Sequence, residues 1–457
     1  MKLKYFYFVS YVYLLVFLFF GLINPYLWLD EAGQFFISIG LNHFSEPLSP
    51  KGSYLDMISN NNEFNLDPGG FSVLLFFWLK FSTNLVWIKI LPFIFFAISV
   101  FFMVKISKIL IDKRSGLAFG FFLFLIPQLV FRALELRAYT METFAIIFSI
   151  FILINYQKAS NKELLIYSII SAFLITSRYS AIILYGLLTI FLSLNILFSH
   201  RNKIEKIKSI LIFSLPLLIS VFIIYLFILR NQNPELSKVD YVSYLSDNFY
   251  LFFDKTNLIH STCLLILLAI SIFDKKLPKH FKPLFHFSVG VNFIFILISF
   301  FGLYPYSPFD ERNLAIFIFT FLSIFLWLTS RLIFIKKILN YQLTPIFFTL
   351  IFTIVFNLTI KNNWRKNNIV SSLKNKELNN NSLFYVEREM YPSIKYLFEF
   401  EKLYDNLTYP ENFIFLNKNY TEETFQKKEG KNSYIISAKN LNLPYVKNVG
   451  YNLYKIN

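Results

Sequence analysis

Apolar runs of about 20 residues recur along this chain, and nothing else in the sequence limits its fold as strongly. A bilayer's hydrocarbon core is ~30 Å thick, which about 20 apolar residues wound as a helix will cross. The runs fall at residues 5–23, 86–108, 116–131, 139–156, 164–177, 181–198, 210–229, 257–273, 285–303, 314–330 and 342–360. Hydrophobic residues make up 56% of the chain and aromatics 20%, with 59 Phe, a composition with too little polar surface for an ordinary soluble domain. The sequence predicts an all-α polytopic membrane protein of about eleven transmembrane helices. The first run follows Lys2 and Lys4 and has no small-x-small cleavage site before Asn24-Pro25, so it reads as an anchor rather than a signal peptide.

Charge sets the expected orientation. With the N-terminus cytoplasmic, the inner stretches hold 19 Lys and Arg against 4 acids, and the outer side up to residue 360 holds 10 against 14. Basic residues favour cytoplasmic loops, so the net charge of +16 reflects topology and predicts no nucleic-acid partner. The apolar stretch 69–81, GGFSVLLFFWLKF, spans only about 20 Å as a helix. It is expected as a juxtamembrane helix in a first external loop at about 24–85, opened by Asp67-Pro68. Residues 1–360 then form the transmembrane domain. Residues 361–457 change character, with strand-like runs at 382–386, 412–416 and 433–437 and a helix-like run at 393–403, and predict a small extracytoplasmic α/β domain. The single Cys263 leaves no disulfide within the chain.

Zinc-ligand spacing, P-loop, G-x-S-x-G and C-x-x-C signatures are absent from the sequence. The chemistry-bearing residues gather at the outer ends of crossings: Asp30, Glu31, Asp67, Glu135, Arg137, Arg178, Asp310, Glu311 and Arg312. Charges at such depths line watery cavities or pair with one another; the plain alternative is pairs that only steady helix ends. Asp30 and Glu31 stand in LWLDEAGQF, and adjacent residues cannot share one helix face, so they should take different partners. Arginine grips phosphate with a planar fork, and a leaving phosphate needs its developing charge neutralised. A carboxylate can take the proton of an acceptor hydroxyl. Together these groups suit glycosyl transfer from a polyprenyl-phosphate sugar.

The order Asp30-Glu31, then Asp67-Pro68-Gly69-Gly70-Phe71-Ser72, then Glu135-Leu136-Arg137-Ala138-Tyr139, then Asp310-Glu311-Arg312-Asn313 resembles the membrane glycosyltransferases of the GT-C fold. The likeness is to glycosyltransferase family 39 and its bacterial relatives, including protein O-mannosyltransferases and the lipid A aminoarabinose transferase. It covers roughly residues 1–330. The resemblance implies Asp30 as general base, with Glu31 orienting it or the acceptor. It implies Arg137, Arg178 and Arg312 on the donor phosphate, and Asp67, Glu135 and Tyr139 at the sugar or acceptor site in an inverting single displacement. Tyr139 and Trp28 also carry structural duties, Trp28 at the membrane interface. The pattern departs from the family where Asp67 stands for a common His, Gly69 for a second Pro, and Tyr139 for an acid in some members. The acceptor therefore stays open among lipid, glycan and protein. No metal ligand is assigned and the sequence requires no cofactor, leaving a divalent metal open.

His43 and His260 read as ordinary external histidines, and Lys51 and Lys80 as solvated or snorkelling. The excess of Phe, Ile, Asn and Lys with only 13 Gly fits an AT-rich bacterial genome and an inner-membrane location. A transporter or flippase of a lipid-linked or anionic substrate is the rival reading. Against it, the sequence has no paired halves with interrupted helices, and its charges lie at one face rather than mid-span.

Overall fold

The computed structural model describes residues 2–23, 27–41, 51–65, 67–111, 115–199, 202–232, 255–273, 281–301, 314–331, 337–338, 341, 343–360, 373, 382–387, 390–399, 413–416, 432–437, 446–450 and 453–456. The molecule is mostly helical. Helices α1 (Lys2–Leu22), α2 (Leu29–Ser38), α3 (Tyr54–Phe64), α4 (Gly70–Trp78), α5 (Leu85–Leu110), α6 (Pro127–Arg132), α7 (Tyr139–Asn155), α8 (Asn161–Leu174), α9 (Tyr179–Leu197) and α10 (Lys203–Phe227) are followed by Lys255–Phe273, Phe281–Phe300, Leu314–Arg331 and Thr344–Val355. Among the described residues five helices are long and apolar enough to cross a membrane: Leu3–Leu22, Leu85–Leu110, Tyr179–Leu197, Lys203–Asn231 and Phe281–Ser299. Contacts divide the chain into two compact units. One comprises Met1–Gly21, Asn61–Phe71 and Pro92–Phe356; the other comprises Leu22–Asn60, Ser72–Leu91 and Asn357–Asn457.

The first unit is a helical bundle whose outer faces are apolar. On α10, Leu211, Leu215, Leu218 and Phe222 are each more than half exposed, while Phe213, Leu217 and Ile224 turn inward. A helix apolar on every side needs an apolar solvent, so this is a helical membrane protein. Inside the bundle, small hydroxyls bond across helices: Ser220 Oγ of α10 donates to the Ala172 carbonyl of α8 at 2.7 Å. Phe102 of α5 meets Phe144, Phe148 and Phe151 of α7 at centroid distances of 5.5, 5.4 and 5.0 Å. The α8 start is fixed by a capping box: Glu163 N–H donates to Ser160 Oγ at 3.3 Å and Ser160 N–H donates to Glu163 Oε2 at 2.8 Å.

The expected crossing at 116–131 is broken. Its first part, Ser115–Leu125, is a 3-10 helix, and α6 begins afresh at Pro127. Pro127 lacks an N–H and pushes Ile126 into extended backbone, φ −102° and ψ 99°, so one continuous helix cannot form. The tighter 3-10 winding packs close against α1: a Cβ on Gly120 would fall 2.6 Å from Tyr11 Oη, the Tyr11 ring stacks on Phe121 at 4.6 Å, and the Tyr11 hydroxyl donates to the Leu117 carbonyl. His260, expected to be external, is fully buried. Its ring lies edge-on to Phe317 and Phe321, with Nε2 3.3 Å from Thr320 Oγ1.

The second unit joins α2 to the C-terminal sheet. Strands β1 (Ser382–Val386), β2 (Phe413–Phe415), β3 (Asn432–Ile436), β4 (Val446–Gly450) and β5 (Leu453–Ile456) lie in the order β2-β1-β3-β5-β4. The first three are parallel; β5 runs antiparallel to β3 and β4. Helix Tyr391–Glu399 covers one face, where Ile394 and Leu397 pack with Phe384, Val386 and Ile436. Trp28, expected at the membrane interface, packs against this same core, and Phe35 of α2 meets Tyr396 edge-on at 4.9 Å. The α2 exit is equally tight. Gly40 has φ +74°, and a Cβ there would fall 2.7 Å from the Gly52 carbonyl carbon, so both positions exclude side chains. Trp78 and Trp87 stack at 4.4 Å, each indole N–H donating to the other's carbonyl at 2.9 and 3.0 Å.

Candidate functional site

In the helical unit, the turn Asp67-Pro68-Gly69-Gly70 is built to touch another chain segment. Gly69 has φ +84°, a conformation closed to proline, whose φ is fixed near −65°. Asn61 Nδ2 donates to the Asp67 carbonyl at 3.2 Å, and Gly70 N–H donates to the Thr176 carbonyl at 3.0 Å. A Cβ on Gly70 would fall 1.8 Å from Thr176 Oγ1. The two glycines thus allow the turn to dock on the α8–α9 connection, and this brings Asp67 to Arg178 at the start of α9.

Five of the residues singled out in the sequence meet here. Arg178 Nε lies 3.4 Å from Asp67 Oδ1, and Arg137 Nη2 lies 3.9 Å from Asp67 Oδ2. The second contact is Coulombic, being too long for a hydrogen bond. Arg178 Nη1 also pairs with Glu142 Oε2 at 3.2 Å, and the Ser180 hydroxyl donates to the other Glu142 oxygen. Arg132 pairs with Glu135. The Tyr139 ring separates the two halves, with the Arg132 guanidinium 4.2 Å from its centroid and that of Arg178 at 4.8 Å. Each cation is drawn to the ring's negative face. Among the described residues three arginines and three carboxylates make the cluster formally neutral, but exposure divides it unevenly. The side chains of Asp67, Arg137 and Arg178 are 14, 21 and 19% exposed, whereas those of Arg132, Glu135 and Glu142 are at most 7% exposed. Two cations and one anion face outward, and one cation and two anions lie beneath. Among the described residues of the cluster, the more exposed charges are therefore net positive.

The Asp30–Glu31 pair belongs to the other unit. Both stand in the first turn of α2, where the helix dipole favours negative charge. Trp28 N–H donates to Glu31 Oε2 at 3.3 Å, and the other Glu31 oxygen pairs with Lys89 of α5, both side chains being at least 96% buried. One and two turns along α2, Gln34 and Ser38 continue this polar face. Gln34 Nε2 donates to Ser72 Oγ of α4 at 2.8 Å and approaches Ser38 Oγ at 3.3 Å. Asp30 is half-buried. Arg312, with Asp310 and Glu311, lies outside the described residues, as does His43.

Sequence reasoning passed over Arg132, Glu142 and Lys89, counting them only as charges at the outer side. The signal was a lone ionisable group set into an apolar run, as in VWIKILPF and YTMETFAI, which membrane burial tolerates only with a partner. Among the described residues no group of three or more His, Cys, Asp or Glu could hold a metal ion. In comparisons with known proteins, no family model matches the chain and no curated protein matches it.

Proposed function

We propose that this protein is a GT-C-type membrane glycosyltransferase that moves a sugar from a polyprenyl-phosphate donor to an acceptor hydroxyl. The observation that supports this most is the accessible Arg137–Arg178 pair, braced by Asp67 and by the Tyr139 ring. Two partly exposed guanidiniums on a shared carboxylate suit a phosphate whose charge grows as its sugar leaves. In the reaction, the acceptor oxygen bonds to the sugar's anomeric carbon from the face opposite the phosphate. The carbon–oxygen bond to phosphate breaks with inversion, and polyprenyl phosphate departs on Arg137, Arg178 and Arg312. Asp30, the more exposed acid of its pair, takes the acceptor's proton; Glu31 orients it. Asp67, Glu135 and Tyr139 shape the sugar or acceptor site.

The reading includes eleven crossings, with basic turns cytoplasmic and the active site, 24–85 loop and 361–457 domain extracytoplasmic, in a bacterial inner membrane. Transfer of labelled sugar from a panel of polyprenyl-phosphate sugars, in membranes carrying the full chain, tests it. Incorporation from one donor supports the reading and names the sugar. No incorporation from any donor, together with movement of a lipid-linked sugar across vesicles of purified protein, would replace it with a flippase.

A further inference from the structure

A buried ion pair is a poor device for stability alone. Two charges lose their hydration, and their mutual attraction repays that loss only with good geometry. Yet Glu31 and Lys89 are paired, 1 and 4% exposed, at the seam of α2 and α5. The seam carries a second polar tie, Gln34 of α2 to Ser72 of α4, on the same face of α2 because positions 31, 34 and 38 follow the helical repeat. Two specific polar contacts at fixed spacing define both the rotation and the axial position of α2; an apolar seam would tolerate sliding. Rotation matters here because Asp30, one residue before Glu31, leaves the helix about 100° away, so turning α2 re-aims it.

We propose that Lys89 is a positioning residue, anchoring Glu31 so that α2 presents the neighbouring Asp30 carboxylate in a fixed direction. The inference rests on the reading of Asp30 as the base in glycosyl transfer. Lys89 acts through Glu31 and touches no reacting atom. A displacement of about 1 Å in a reacting group can cost on the order of a hundredfold in rate. Lys89→Met should therefore lower kcat by about that factor and leave the KM for the lipid donor within about twofold. Lys89→Arg, which keeps a cation for Glu31, should recover most of the loss. Adding Lys89→Met to Glu31→Gln should cost little more than Glu31→Gln alone, because the two residues act as one unit.

Lys89→Met leaves a buried carboxylate without its cation and can fail to fold. The paired change Glu31→Met with Lys89→Met removes both charges and keeps the seam filled. It should fold at normal yield and remain slow. Normal kcat in the folded Lys89→Met protein or in the paired variant, a loss confined to donor KM, or losses that multiply with Glu31→Gln would each overturn the proposal. A second readout needs no activity. With Cys263→Ser and a spin label on Asp30→Cys, the label should become more mobile on Lys89→Met and return to its original mobility with Lys89→Arg. If no donor gives transfer but the label responds in this way, the glycosyl reading fails while the anchoring stands. A label indifferent to Lys89 overturns the anchoring.

Discussion

Two buried charge clusters in this protein are built on opposite plans. The Glu31–Lys89 pair is closed: both side chains are nearly fully buried, with a polar tie one turn along the helix. The arginine cluster is open: six charges in a network, half of them 14–21% exposed, with an aromatic ring as its central spacer. A closed pair can hold position and little else, since each charge is already matched at contact distance. An open network keeps part of its positive field available to an incoming anion. The contrast separates holding a residue in place from receiving a ligand.

Breaking the closed side should have the largest effect. Lys89→Met strands the Glu31 carboxylate in a dry site, with an expected cost of about 3–5 kcal/mol, seen as a lower Tm of the full chain in detergent. The paired Met variant should melt near wild type, and equal destabilisation by both would show that the stranded charge is not what costs stability. Next comes Arg178→Leu, which leaves Asp67 and Glu142 without their shared cation. Because half of this cluster is partly exposed, the cost should be smaller, about 2–3 kcal/mol; a Tm drop as large as that of Lys89→Met would erase the distinction between open and closed. Tyr139→Leu removes both cation–ring contacts and should cost about 2 kcal/mol, whereas Tyr139→Phe, which keeps the ring, should melt close to wild type. If the two behave alike, the ring is not the spacer.

The smallest effect belongs to a carboxylate in neither cluster. Asp56 accepts from Ser53 N–H and from the Ser53 hydroxyl, both at 2.7 Å, at the start of α3, and these bonds hold its pKa below the usual carboxylate range. A lowered folded-state value means the cap is fully present above the ordinary value of about 4 and is lost as pH falls through the folded one. Protection factors of the first-turn amides of α3, taken against the intrinsic exchange rate at each pH, should therefore hold above that range and fall as pH drops below it; Asp56→Asn should remove that fall.

What could be read from the sequence was what lies within one stretch of chain. The apolar runs are local, and so is the helix opened by Asp67-Pro68, found at Gly70–Trp78. The run at 382–386 is a strand with those bounds, and 412–416 and 433–437 differ by one residue at each end from Phe413–Phe415 and Asn432–Ile436. Strands β4 and β5 are too short, at five and four residues, for VKNVG and LYKI to show a period, and they gain their order from pairing with each other and with β3. Pairing partners were the least legible feature. Glu31 and Lys89 are 58 positions apart, and Glu142 and Arg178 are 36; their meeting depends on how helices pack. The broken run at 116–131 was legible at Pro127 and was outweighed by its hydrophobicity.

The most direct test of the account is sugar transfer by Asp30→Asn beside wild type, in membranes with equal amounts of each protein and the donor that wild type uses. The substitution keeps the side chain's size and removes only its ability to take a proton. Transfer falling by about a thousandfold or more, with donor KM little changed, is the predicted result. Transfer by Asp30→Asn at the wild-type rate would contradict it, because the base of the proposed reaction would then lie elsewhere.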